Sequence, residues 1–194
     1  MFKTLQDMQK ISSVLPPAKI EILYDCLEKV PKGSDYIEIG VYKGGSANFI
    51  ANYMKMTENT ELLHLVDTFT GIPDASSEDR HKNGDFSGVK LQNIITFFSQ
   101  YPNVVIHVGM FQKIKDNIDD RRFSFIHLDT DTYMSYKEVL LFLWPKLVPG
   151  GIILCDDYGA PSCPGAYKAV NEFTEANNLK INTKGPSQAW LIKE

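Results

Sequence analysis

Apolar residues fall along the chain in two alternating textures. Short continuous runs occupy Tyr36 to Ile39, Leu62 to Val66, Val104 to Gly109, Phe123 to Asp129 and Ile152 to Cys155. Runs of this kind are strands buried on both faces, as in a parallel sheet with helices on either side. Between them apolar residues recur every three or four positions. After Pro16-Pro17, which suits a helix start because the missing N–H costs nothing in the first turn, Ile20, Leu23, Tyr24, Leu27 and Val30 share one face until Pro31-Lys32-Gly33. Phe49, Ile50 and Tyr53 mark a second helix from Ser46 to about Thr57, and Leu91, Ile94, Ile95 and Phe98 a third within Val89 to Tyr101. A short helix over Phe111 to Ile118 follows. Met134 to Leu147 is predicted helical with Pro145 as a kink or early stop, and Ala166 to Ala176 as the last helix. Leu179 to Asn182 and Gln188 to Ile192 read as two late strands. Residues 1–33 form a leader in which Leu5, Met8, Ile11 and Val14 keep helical spacing, suited to docking on the domain or on a second copy in a homodimer. The alternation predicts one α/β domain over residues 1–194, with ligands outside the carboxyl ends of its strands.

The first strand runs into Gly40-Val41-Tyr42-Lys43-Gly44-Gly45-Ser46 and then into a helix. A strand–turn–helix unit of this kind presents backbone and helix N–H groups to a ligand. The spacing is Gly-x-x-x-Gly-Gly rather than the Gly-x-Gly-x-x-Gly of dinucleotide sites. Glu38, near the strand end, would repel a phosphate and attract an amine or a sulfonium. The plainer alternative is that the glycines only let helix and strand pack closely. Residues 68–88 lose all periodicity, which fits either a lid over a site or a surface insertion.

Acids stand at or near four strand ends: Glu38, Asp67, Asp129 and the pair Asp156-Asp157. Asp67, followed by Thr68, closes the second strand, where a carboxylate can accept both hydroxyls of a ribose. Gly109, Met110 and Phe111 then offer backbone and an apolar wall to an adenine. Asp129, Asp156 and Asp157 come from strands expected to be neighbours, and three oxygen donors without Cys or His suit a hard ion, Mg²⁺ before Ca²⁺. Asp131 and Tyr133 follow in the same loop and are placed to orient a substrate or take its proton. His64, His107 and His127 lie inside apolar strands and read as core histidines. His81, within residues 68–88, is the exposed candidate for a base, although a surface histidine is the simpler reading. Cys155 has no soft partner at metal spacing and reads as core filling.

Bulk properties narrow the partners. The chain has 194 residues, 43% of them hydrophobic, with net charge −4 and pI ≈ 5.6, which disfavours nucleic acid and anionic membrane. The longest apolar run, Val139 to Trp144, is too short to span a bilayer. Three cysteines without a Cys-x-x-Cys pair and without a secretion signal suggest reduced thiols and a cytoplasmic location.

Several segments together resemble a known family. Ile37-Glu38-Ile39-Gly40-Val41-Tyr42-Lys43-Gly44-Gly45-Ser46 is similar to the cofactor loop of catechol-type O-methyltransferases. Asp67-Thr68-Phe69 with Gly71, Phe125 to Tyr133, Pro149-Gly150-Gly151, Asp156-Asp157-Tyr158 and Gly165 to Phe173 resemble the macrocin O-methyltransferase family more closely. This resemblance, over about residues 36 to 175, implies a Rossmann-like class I methyltransferase fold: a seven-stranded, mostly parallel sheet with one antiparallel strand and helices on both faces. It implies S-adenosylmethionine at Glu38, Gly40, Tyr42, Ser46 and Asp67, and Mg²⁺ at Asp129, Asp156 and Asp157. Thr132 stands where catechol-type enzymes carry a lysine base, which leaves Asp131, or the ligand Asp129 itself, as the proton acceptor. The expected reaction is methyl transfer to a hydroxyl of a sugar or another vicinal diol. A nicotinamide-dependent reductase on a similar sheet and a non-catalytic S-adenosylmethionine-binding relative are the competing readings.

Overall fold

A computed structural model describes residues 15–185 and 187–194. The helix expected over Leu5 to Val14 lies outside the described residues. From the amino end the elements are α1 (Pro17–Leu27), β1 (Asp35–Ile39), α2 (Gly45–Met56), β2 (Leu63–Asp67), α3 (Leu91–Phe98), β3 (Val104–Val108) and α4 (Phe111–Ile114). There follow β4 (Phe123–Leu128), α5 (Tyr133–Leu143), β5 (Leu147–Cys155), α6 (Pro164–Ala176), β6 (Asn182–Thr183) and β7 (Ala189–Ile192). The strands form a seven-stranded sheet in the order β3-β2-β1-β4-β5-β7-β6. Strands β1 to β5 are parallel, and β7 runs antiparallel to both neighbours. The mostly parallel, Rossmann-like sheet with one reversed strand is therefore the observed one.

The continuous apolar runs are buried on both faces because successive side chains point to opposite sides. Tyr36, Phe125 and Leu154 pack with Leu23 of α1, Phe49 and Met54 of α2 and Phe98 of α3. Ile37, Ile126 and Ile153 pack on the other face with Ile114 of α4, Leu140 of α5 and Val170 of α6. The strand order changes direction at β1 and β4, so their carboxyl ends flank the crevice where such sheets bind ligands.

Boundaries moved where backbone chemistry differs from side-chain pattern. Pro145 ends α5 at Leu143 and confines Trp144–Lys146 to a 3₁₀ turn. Strand β5 starts at Leu147 rather than Ile152, because Gly150 donates its N–H to the Lys193 carbonyl at 2.7 Å and Gly151 accepts from Lys193 at 2.9 Å. Helix α3 is shorter than its apolar pattern, and β6 has two residues, later than expected. Among the described residues no helix is long and apolar enough to cross a membrane.

Gly40 decides how closely the central strands meet. Its φ is +90°, and a Cβ there would lie 1.8 Å from the Asp129 carbonyl oxygen. The Gly40 N–H bonds the Val66 carbonyl, and the Asp129 N–H bonds the Ile39 carbonyl, each at 2.9 Å. The glycine thus permits strand-to-strand approach. Gly40→Ala combines a forced clash with a left-handed conformation, so it should lower unfolding free energy by about 2–4 kcal/mol in urea titrations. An unchanged midpoint would mean that the two strand ends are not in this contact.

Candidate active site

A cavity of about 260 Å³ opens at the carboxyl ends of the central strands. Gly40, Tyr42, Asp67 and Thr68 line one part, and Gly109, Met110 and Phe111 form a wall. Asp129, Asp131, Asp156 and Asp157 line the other part. Residues that the sequence assigns separately to a nucleoside and to an ion thus share one hollow.

Asp67 holds the corner of the β1–α2 turn. Its Oδ2 accepts the N–H groups of Val41 and Tyr42, both at 2.7 Å, and its Oδ1 accepts that of Phe69 at 2.7 Å. Tyr42 and Phe69 have φ of 48° and 54°, so the carboxylate stabilises two strained residues. A carboxylate has about four acceptor positions, and three are in use here, which leaves room for one donor from outside.

Two residues expected at the cofactor do not line this cavity. Glu38 shares the face of Tyr36, is fully buried, and places Oε1 2.8 Å from His127 Nδ1. Period-two alternation turns it into the sheet, away from the crevice. Ser46, in the first turn of α2, is buried without reaching the cavity wall.

The three acids expected at the ion do converge. Carboxylate oxygens of Asp129, Asp156 and Asp157 lie within 4.8 Å of one another. Consecutive residues after β5, Asp156 and Asp157 turn to opposite faces. Asp156 Oδ2 receives Lys19 Nζ of α1 at 2.6 Å, and the same amine donates to the Asp156 carbonyl at 2.7 Å. Gln188 donates its side-chain amide to Asp156 Oδ1, and His127 Nε2 stands 3.6 Å from that oxygen. Asp157 Oδ2 accepts the Asp131 N–H at 3.0 Å and lies 3.0 Å from the Tyr136 hydroxyl of α5.

These surroundings split the acids electrostatically. Burial raises the Asp156 pKa, but His127 and Lys19 outweigh it and hold the carboxyl below its ordinary value. Asp129 is pushed well above its ordinary value by burial, then by Asp156 and Asp157. Burial and the charges of Asp131 and Asp156 push Asp157 up to about 7. Burial disfavours charge on His127, yet Asp156 and Glu38 on either side raise it to about 10. All-oxygen donors that resist ionising together could hold a hard divalent cation.

Asp131 sits at φ 63°, with Oδ1 accepting the Cys163 thiol at 3.3 Å and 3.7 Å from His81 Nε2. His81, for which a surface place is the simpler reading, therefore reaches the site. Residues 68–88 are tied down rather than loosely inserted: the Ile72 N–H bonds Asp85 O at 2.9 Å, and Gly84 bonds Ile72 O at 2.8 Å. Asp79 accepts the Tyr133 N–H at 2.8 Å, while Asp74 accepts the Thr132 and Ser135 hydroxyls. The acids of this segment thus satisfy the start of α5. Tyr133 itself turns its hydroxyl to Glu172 at 2.7 Å. His64 pairs with His107 at 2.9 Å and with Asp35 at 3.2 Å, and Cys155 is buried, as core residues should be.

Residues 12–185 match the Macrocin-O-methyltransferase (TylF) family. The chain belongs to this family. A Streptomyces olivaceus relative, 8-demethyl-8-(2,3-dimethoxy-alpha-L-rhamnosyl)-tetracenomycin-C 4'-O-methyltransferase, is 28% identical over 76% of this chain and 63% of its own length. The Mycinamicin III 3''-O-methyltransferase of Micromonospora griseorubida is 24% identical over 83% of this chain and 69% of its own. The chain thus spans under two thirds of the first of these relatives. The solved structure of the O-methyltransferase NovP shares the fold, with TM-score 0.79 and 23% identity over 93% of this chain and 81% of that one.

Lys19 and Gln188 carry no local signal in this family member: one lies 137 and the other 32 residues from the Asp156 that each contacts. Glu38 and His127 both stand out as polar residues in apolar strands, but their pairing appears only in the structure. The raised His127 pKa has a testable sign. Between the unfolded value of about 6.5 and the folded value of about 10, the folded state binds the extra proton. Its contribution is complete below about 6.5 and lost as pH rises through about 10. The stability difference between wild type and His127→Gln in urea titrations should therefore shrink over that window; a constant difference would refute a protonated His127.

Proposed function

We propose that the chain is an S-adenosylmethionine-dependent O-methyltransferase that moves a methyl group to a hydroxyl of a sugar or another vicinal diol, assisted by Mg²⁺. The observation that carries this reading is the continuity of one cavity from Gly40 and Asp67 to Asp129, Asp156 and Asp157. Family membership supports methyl transfer, and the relatives named for rhamnosyl-tetracenomycin and mycinamicin III support a hydroxyl on a glycosylated small molecule.

S-adenosylmethionine supplies the activated methyl group on a sulfonium. Asp67 and Thr68 would hold its ribose, Gly40 and Tyr42 its amino-acid end, and Gly109, Met110 and Phe111 its base. The negative rim favours a sulfonium over the neutral thioether product. Mg²⁺ held by Asp129, Asp156 and Asp157 would supply Lewis-acid chemistry toward the acceptor. Asp131, beside that set and on the cavity wall, would accept the hydroxyl proton. Ile72, Pro73 and Phe86 from residues 68–88 cover the hollow and limit water. The chain would act mainly by positioning.

Calorimetry should detect S-adenosylhomocysteine binding to the purified chain, and no heat at millimolar ligand would remove the cofactor assignment. Mg²⁺ should raise Tm more at pH 8 than at pH 5.5, because Asp157 takes up a proton below about 7. Asp129→Asn should abolish that rise, and its persistence would detach Asp129 from the ion. With an accepted substrate, Asp131→Asn should lower kcat by about 10²- to 10⁴-fold while leaving S-adenosylhomocysteine affinity intact. An unchanged kcat would assign the proton elsewhere.

A further inference from the structure

Beside the oxygen-only acids lies a second cluster of different chemistry. His81 comes from residues 68–88, Asp131 from the turn after β4, and Cys163 from the N-terminal cap of α6. Their donor atoms all lie within 4.8 Å of one another. Asp131 Oδ1 is 3.3 Å from Cys163 Sγ and 3.7 Å from His81 Nε2. Donors on a tetrahedral ion with bonds of 2.0–2.3 Å stand about 3.3–3.6 Å apart, so the two separations from Asp131 are already close to those of a coordination shell.

The imidazole is also oriented from outside the cluster. His81 Nδ1 faces Asp85 Oδ2 at 3.4 Å, and the ring lies against Phe86 at 5.1 Å between centroids. A carboxylate behind one ring nitrogen leaves the other free to face an ion, the arrangement common to metal-binding histidines. Cys163 stands at the N-terminal cap position of a helix of 13 residues, where burial, Asp157 and Asp131 push its thiol well up, so it keeps its proton until a cation displaces it. Asp131 lines the cavity, which gives an ion an entry path to the cluster.

We propose that His81, Asp131 and Cys163 form a second metal site, for a borderline-soft divalent ion of the zinc type, distinct from the oxygen-only set Asp129, Asp156 and Asp157. One sulfur, one nitrogen and one oxygen select Zn²⁺ or Co²⁺ over Mg²⁺. Binding releases the Cys163 proton to solvent and forms a metal–thiolate bond, with no change in oxidation state. The ion would join residues 68–88 to the turn after β4 and to α6, three segments otherwise linked there by hydrogen bonds. The site itself does not depend on methyl transfer. Its consequence does: with Asp131 coordinated, the proposed proton acceptor is occupied, so Zn²⁺ acts as an inhibitor and Mg²⁺ does not.

The test titrates Co²⁺ into the full chain with saturating Mg²⁺ present. One equivalent should produce a thiolate-to-cobalt charge-transfer band with tetrahedral ligand-field bands, and Zn²⁺ should displace it. Cys163→Ser should remove the charge-transfer band, and His81→Asn should weaken Co²⁺ affinity by about tenfold or more. Asp129→Asn should leave the band in place, which separates this site from the hard-ion site and keeps the result independent of the methyl-transfer reading. No charge-transfer band in wild type would overturn the proposal. So would a band that persists in Cys163→Ser protein with a wild-type circular dichroism spectrum, since the sulfur would then be Cys26 or Cys155.

Discussion

Several carboxyl groups are confined to one dry rim, and the rest of the site is arranged by how their mutual repulsion is offset. Charges alternate along one buried chain: Glu38, His127, Asp156 and Lys19 stand in sequence, each within reach of the next. That chain balances itself. Among the described residues it leaves Asp129 and Asp157 without a cationic side chain of their own, and both carboxyls are pushed upward, as is that of Asp131. The proposed divalent cation would offset the most repulsion where these two carboxylates meet Asp156. Lys19 orients Asp156 alone, since its amine is spent on both the carboxylate and the carbonyl of that residue. Buried charge pairs contribute little net stability, because desolvation offsets attraction, but they fix geometry. Holding Asp156 in one orientation is the useful product of the chain.

Residues 68–88 tie this rim to the helical layer. Asp74 and Asp79 satisfy donors at the start of α5, Asp85 orients His81, and Ile72 is buried beneath the segment. The segment lacks regular structure, yet Asp79 does for the Tyr133 N–H what a capping residue does inside a helix sequence, and Asp74 holds two side-chain hydroxyls beside it. A segment that carries a helix cap cannot swing freely, because opening it exposes unpaired donors at α5. Access to the cavity is thus coupled to the stability of the helix that follows Asp131.

Much of this was legible in the chain because the signals are local or periodic. Continuous apolar runs located the strands, and acids closing those runs located the rim, since a parallel sheet places all its carboxyl ends on one side. The side on which Glu38 points was equally legible in principle. It shares parity with Tyr36 across a five-residue strand, and parity places it in the layer under α1 and α2 rather than in the crevice. Its charge suggested a ligand where its position demanded a buried partner, and His127 on the adjacent strand is that partner. Lys19, Gln188, Cys163 and the contacts that Asp74 and Asp79 make to α5 were not legible. Each acts across tertiary contacts between segments far apart in the chain, and no periodicity records which of two distant residues will meet.

The glycine turn shows how a ligand-binding signature can arise from packing. Gly40 is required by the Asp129 carbonyl, and Gly44 by Phe98, whose ring carbon would stand 2.9 Å from an added Cβ. Neither requirement mentions a ligand. Yet the approach that Gly40 permits sets the end of β4, and with it Asp129, directly beside the turn that Asp67 clamps. Close strand packing and a shared cavity are therefore one geometric condition. Asp67 and Asp129 can line one hollow only if the residue at the end of β1 has no side chain, which gives the Gly-x-x-x-Gly-Gly turn a packing reason that needs no pyrophosphate.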